Sequence, residues 1–389
     1  MATEDRARTP LAVAAVIIVV FLTLYWVIEG RQIFVPIAVS VIVWYLLNSL
    51  AKSFAGIRLA GRQLPGGAAL AAAGVTALAA IYLIVDVLAA SIAALGEAVP
   101  RYEQNLERLL QRAADALGLE HAPTTVQLAD QIDLEAVFGW LAGFAAGLAG
   151  NLILVLFYVI FLFVEQASFD AKLSRMVTDP AQRQRVRRVL DTIQRQIRKY
   201  LWIKFLMGLS LGAITYVTLV AVGVDFPAVW SFIIFLLSFI PTIGTLLGIV
   251  FPAVVALLQF NTLTPFLIVT AVLGAAQLLF NNMVEPRLMG KSLNLSPFLI
   301  FVMLAVWGTI WGITGAVLCV PLMVMAMIVL SQFPRTRAIA VAMSSDGDLP
   351  EPEAATGTET DMDTEPDPAP GGRAGPAAAS PPRSAAPGR

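Results

Sequence analysis

Apolar runs of 18 to 34 residues recur along the chain, at 11–28, 33–50, within 67–95, 137–164, 201–222, 230–260, 265–283 and 297–330. A bilayer core about 30 Å thick needs about 20 helical residues to cross it. In hydrocarbon every backbone N–H and C=O must be satisfied internally, so runs of this length can only be helices. The expected fold is an all-α polytopic membrane protein with about eight membrane segments. Composition agrees: 58% of the 389 residues are hydrophobic and 14% charged, with a mean hydropathy of +0.77. A soluble domain carries roughly 25% charged residues, so lipid must cover much of this surface.

The same composition removes several function classes. The lone cysteine, Cys319, excludes an intramolecular disulfide and a multi-Cys metal site. The lone histidine, His121, leaves little from which to build a His-based metal centre or a hydrolase. No GxxxxGK[ST] phosphate loop occurs. A net charge of −1 offers no field to recruit nucleic acid. No enzyme, metal or cofactor is expected.

Run 11–28 is longer than a signal-peptide core and lacks a convincing cleavage site, so it reads as an uncleaved first span. Residues 165–200 hold nine Lys/Arg, whereas 96–137 hold three against eight acids. The first loop is therefore cytoplasmic and the second external, with both termini inside. This divides the chain into three spans (1–95), an external amphipathic loop (96–136), a fourth span with a basic cytoplasmic helix (137–200), a transport core with interrupted helices (201–333) and a disordered cytoplasmic tail (334–389). In the external loop, Tyr102, Leu106, Leu109, Ala113 and Leu117 share one stripe. They suggest a short helix lying on the outer leaflet or against a neighbouring subunit. The basic helix 182–201 is expected to lie on the anionic inner leaflet. Asp86 reads as interfacial or paired, and Asp225 as exposed.

Two segments, 230–260 and 297–330, are long for one span and short for two. The first carries Pro241, Gly244 and Gly248, then Pro252; the second carries Gly308, Gly312 and Gly315, then Pro321. Proline removes a backbone donor and glycine tolerates positive φ, so both segments can break. Matching interrupted segments in two parts of a chain point to a transport site. The alternatives are re-entrant helical hairpins forming an inverted repeat, or tilted, kinked spans. Hairpins keep Arg287 and Lys291 inside, where cations belong, and are preferred on that ground.

Gln277, Asn281 and Glu285 recur at i, i+4 and i+8, a polar stripe on an otherwise apolar helix. Such a stripe suggests a wet, protein-lined path. Pro286 is expected to end this helix. Glu285 would then face the negative end of the backbone dipole, which disfavours a carboxylate and raises its pKa; Arg287 would oppose that shift. The competing reading is an interfacial cluster of Glu285, Arg287 and Lys291 that caps a span.

VDFPAVWSFIIFLLSFIPTIGTLLGIVFPAVVALL (224–258) and NNMVEPRLMGKSLNLSPFLIFVMLAVWGTIWGITGAVLCVPL (281–322) resemble the two signatures of the autoinducer-2 exporter family, the PerM-type permeases. The likeness is dense in the C-terminal half and rests on span layout in the N-terminal half. Pro241, Gly244, Asn281, Glu285, Pro286, Gly290, Gly312, Gly315 and Pro321 match motif positions, whereas Ser296 stands where the family often has His. The resemblance implies an inner-membrane permease that exports a small polar solute, and a homo-oligomer with five subunits as the candidate number. Quorum-signal export and sodium(lithium)/proton antiport are both ascribed to members.

The sequence thus predicts a secondary transporter. The expected pathway residues are Gln277, Asn281, Glu285, Arg287, Pro241, Gly244, Gly312 and Gly315, with helix breaks at Pro286, Gly290, Pro252 and Pro321. The polar stripe would suit a polyol, a furanosyl sugar-like signal or a hydrated small cation such as H⁺ or Na⁺. A passive pore formed by an oligomer is the alternative. A scaffold or sensor leaves the matched Gly/Pro breaks unexplained.

Overall fold

The computed structural model describes residues 18–19, 21–56, 58–59, 62–117, 134–260, 262–289 and 294–349. Most of the tail, His121, Gly290, Lys291 and the start of run 11–28 lie outside the described residues. Helical residues 21–29 lead into α1 (Arg31–Ala55). A two-residue ladder follows, β1 (Arg58–Leu59) antiparallel to β2 (Arg62–Gln63). The other elements among the described residues are helices, including α2 (Gly66–Leu117), α3 (Leu134–Met176), α4 (Pro180–Val222), α5 (Pro227–Leu237), α6 (Ile243–Phe260), α7 (Leu263–Leu279), α8 (Glu285–Met289), α9 (Pro297–Ser331) and α10 (Arg337–Met343).

Among the described residues, seven helices are long and apolar enough to cross a membrane. The eleven residues of α5 are too few to span a bilayer core. Large apolar side chains such as Ile153, Val217, Leu246 and Phe298 stand exposed on the chain, as expected of a surface that meets lipid or protein rather than water.

Two helices run further than their apolar runs. At 1.5 Å per residue, the 52 residues of α2 make a rod about 78 Å long, far beyond one bilayer core. The stretch 100–117 is therefore no separate surface helix. It continues α2 through Pro100, and its Tyr102 and Asn105 are buried against the core instead of facing a leaflet. In the same way α4 carries the basic stretch and the fifth apolar run as one unbroken helix of 43 residues. The basic part cannot lie flat on the membrane while the rest crosses it. Its apolar stripe, with Val189, Ile193 and Ile197, packs into the protein. Standard end signals set the length of α4. The Asp179 carboxylate accepts from Ala181 N at 3.0 Å, Pro180 opens the helix, and Gly223 closes it at φ 81°.

Both interrupted segments turn back on themselves. Between α5 and α6, Ile234 and Trp230 of the first arm face Gly248 and Phe251 of the second. The turn is so tight that a Cβ on Gly244 would stand 1.8 Å from Leu237 O, with Thr242 at φ 63°. In α9 the reversal falls on Gly312 (φ 62°, ψ −142°). Cys319 Sγ lies 3.8 Å from Ile300 O, nineteen residues earlier, where a straight helix would separate them by about 28 Å. A Cβ on Gly315 would meet Trp307 O at 1.9 Å. Pro252 and Pro321 are not the break points expected of them. Both are buried inside continuous helix, and the chain turns some ten residues before each.

Among the described residues, three apolar clusters hold these elements together. One joins α1, α2 and α3 around Leu47, Ala73 and Val159. A second joins the far part of α2 to α4, the α5–α6 hairpin and α7. The third gathers the basic end of α4, α8, α9 and α10. Residues 337–349, expected in the disordered tail, belong to this last cluster: Ala340 is buried, Ser296 N donates to Met343 O at 2.9 Å, and Leu295 bridges Ser344. The apolar face of α10 and these backbone pairs explain their order.

Candidate functional site

Lys204 lies on α4 four residues before Gly208, and Gly208 four before Gly212. The two glycines bring α4 and the α5 hairpin into backbone contact. A Cβ at Gly208 would meet Ser238 Oγ at 2.4 Å, and one at Gly212 would meet Ser231 O at 3.1 Å. Small residues four apart are a common device for close helix approach in membranes.

The helix α7 does not end at Pro286. Residues 280–284 form a π turn, with the Glu285 N–H bonded to Phe280 O five residues back, and α8 continues from Glu285. Proline cannot donate to the preceding turn and would clash with it. Widening that turn by one residue lets the helix pass through Pro286. The extra residue also turns the side chains beyond it off the regular helical line.

The expected stripe is thereby split between two partners. Gln277 is buried with its Nε2 beside Gly248, and Asn281 Nδ2 donates to Thr245 Oγ1 at 2.7 Å, so both amides meet the second arm of the first hairpin. Glu285 instead meets α4: its Oε1 is 2.6 Å from Lys204 Nζ, with the Lys204 side chain 7% exposed and that of Glu285 22%. The lysine is enclosed and the carboxylate keeps an open side.

This corrects the view of Glu285 as a carboxylate at a helix C-terminus. It opens α8, and an ammonium neutralises it. Its partner is not Arg287, which is exposed two residues further round the helix. Gln277 and Asn281 meet α6, the helix that follows the Pro241–Gly244 turn, whereas Glu285 does not. Gly312 and Gly315 form the other hairpin's turn, where Trp311 Nε1 donates to Val27 O at 2.9 Å. Lys204 is the residue that an acid-led search passes over. It is the one charge in run 201–222, and a lone cation at that depth calls for an anionic partner.

A second polar cluster lies at the other end of the hairpin. Asp225, expected to be exposed, accepts from Arg101 Nη2 at 2.5 Å and Tyr102 Oη at 2.9 Å. Gln259 Oε1 accepts from Asp225 N, and Asn105 Nδ2 donates to Leu258 O at 2.8 Å. Burial, and then the bond to Asp225, push the Tyr102 hydroxyl well above the usual tyrosine range. Asp86 is exposed.

The family model for the AI-2E family transporter matches residues 15–335. The chain belongs to the AI-2E transporter family. Among its relatives, a Borreliella burgdorferi protein named for transport is 35% identical over 187 residues, 48% of this chain and 51% of that protein, so the match spans about half of its length. The AI-2 transport protein TqsA of Escherichia coli K12 is 28% identical over 314 residues, 78% of this chain and 87% of TqsA. YhhT of the same strain is 29% identical over 299 residues, 75% and 82% of the two chains. AI-2E family members are transporters, and with its apolar helices this one is a multi-pass protein of the bacterial inner membrane.

Proposed function

We propose that this AI-2E transporter is a secondary permease that exports a small polar solute, with Lys204–Glu285 as its charged centre and the α5–α6 and α9 segments as re-entrant hairpins around it. One observation carries the reading: a buried ion pair joins α4 to a π-broken helix, in a chain whose two interrupted segments reverse as segments lining transport cavities do. Taking both charges from water costs several kcal/mol per ion, which their attraction only partly offsets. A pair with one open side is poised to exchange partners. A proton or cation reaching Glu285 would free Lys204 and loosen α4 from α8.

The relative named for AI-2 transport favours AI-2 as the solute. Sodium(lithium)/proton antiport would use the same carboxylate. Loop charges favour cytoplasmic termini.

The test is flux by purified protein in sealed liposomes, under an imposed pH or sodium gradient, with labelled AI-2, sodium and lithium as solutes. Gradient-driven accumulation lost in Glu285→Gln is expected. Flux that runs only downhill and survives the substitution would replace the carrier by a pore.

A further inference from the structure

Gln196, Tyr200 and Lys204 are spaced four apart on α4, so they stand one above another on a single face. Lys204 ends this ladder on Glu285. The two residues before it hold buried polar atoms that no group among the described residues satisfies: the Tyr200 hydroxyl, on a side chain 3% exposed, and Gln196 Oε1. Native interiors rarely leave such atoms unmet, because apolar groups of the same shape would fit without the penalty. Phe would fill the place of Tyr200 in its apolar cluster, so packing does not account for the hydroxyl. Tyr200 stands one turn from Lys204 on the same face of α4, and its hydroxyl is within electrostatic reach of Glu285.

The chemistry of the two oxygens selects what they hold. A carboxamide oxygen only accepts, and a phenol both donates and accepts. A cation is disfavoured, since Arg195, Arg198, Lys199 and Lys204 crowd the same ten residues of helix. An anion is disfavoured by the acceptor of Gln196 and the charge of Glu285. A neutral hydroxyl group satisfies both, donating to Gln196 and accepting from Tyr200.

We propose that this face of α4 is a hydrated binding path leading from its basic end to Glu285, with Gln196 and Tyr200 each holding a neutral hydroxyl group, either of water or of a solute. The proposal rests on the reading of Glu285 as a pathway group.

Cys319 is the chain's one cysteine, so a Cys319→Ala background isolates new thiols. In full-length protein in liposomes, Gln196→Cys and Tyr200→Cys are treated with a small charged methanethiosulfonate reagent beside Leu201→Cys, whose site is 1% exposed and apolar. Reaction at 196 and 200 at least tenfold faster than at 201 is expected. Slowing by ribose would identify a solute as the occupant, and indifference to ribose would identify water; either supports the path. Rates no faster than at 201 would overturn it. Because Tyr200→Cys opens space in the core, a second comparison keeps the ring: Tyr200→Phe should slow labelling of Gln196→Cys at least threefold, and an unchanged rate also overturns the path. Labelling needs no flux, so a protein that labels as expected but does not transport would fail only as a carrier.

Discussion

The Lys204 ammonium sits 2.6 Å from Glu285 Oε1, and both side chains are less than a quarter exposed. The pairs Arg101–Asp225, Lys172–Glu165 and Arg187–Asp170 are all more open. Removing one partner of a buried pair strands the other charge, at a cost of about 3–5 kcal/mol, whereas replacing both with apolar groups is often neutral. Lys204→Met and Glu285→Leu should each lower the melting temperature of the detergent-purified protein, and the double variant should recover most of the loss. A coupling energy above about 1 kcal/mol in this double-mutant cycle is expected; additive losses would mean that the charges do not depend on each other.

The hairpin turns make a steric prediction. Gly244→Ala would place a methyl on Leu237 O and Gly315→Ala on Trp307 O, so neither turn can close unchanged. Both should cut the yield of folded protein. Gly274→Ala and Gly308→Ala, where an added Cβ meets nothing within 4 Å, should keep wild-type yield and gain helix propensity of under about 1 kcal/mol.

Tyr102 predicts an alkaline signature. Its hydroxyl pKa is raised in the folded protein by burial and by the bond to Asp225, so ionisation favours the unfolded chain. The stability it contributes is complete below the unfolded pKa of about 10 and is lost as pH rises beyond that value. Melting curves at pH 9 to 11 should fall more steeply for the wild type than for Tyr102→Phe. Parallel curves would show that the hydroxyl is not held as described.

Asn105 bonds the carbonyls of Leu258 and Gln259 at the end of α6. Asn105→Ala leaves these groups unmet and should cost about 1–3 kcal/mol. Hydrogen exchange should rise at the end of α6, because the loss is confined to that contact.

Much of this arrangement can be read from residue order alone. Run lengths mark the membrane helices, and the Gly/Pro breaks mark both reversals, because glycine and proline act through the local backbone. What escapes is what depends on a distant partner. Lys204 is hidden in an apolar run, and only Glu285, 81 residues later, gives it meaning. Pro286 signals a helix end, yet the π turn absorbs it. The polar residues of 100–118 suggest a surface helix because their partners, Asp225 and the end of α6, lie more than a hundred residues away. The order of 337–349 likewise depends on pairing with Leu295 and Ser296.

The length of α2 has a mechanical consequence. From residue 78, in its apolar part, to Asn105 is about 40 Å of continuous helix. A tilt of about 5° at one end would carry the other by about 3.5 Å on that length, more than the reach of a hydrogen bond. So α2 is a lever fastened by Arg101, Tyr102 and Asn105 to the first hairpin. When the α1–α3 bundle rocks, the hairpin must swing with it or the fastening must let go.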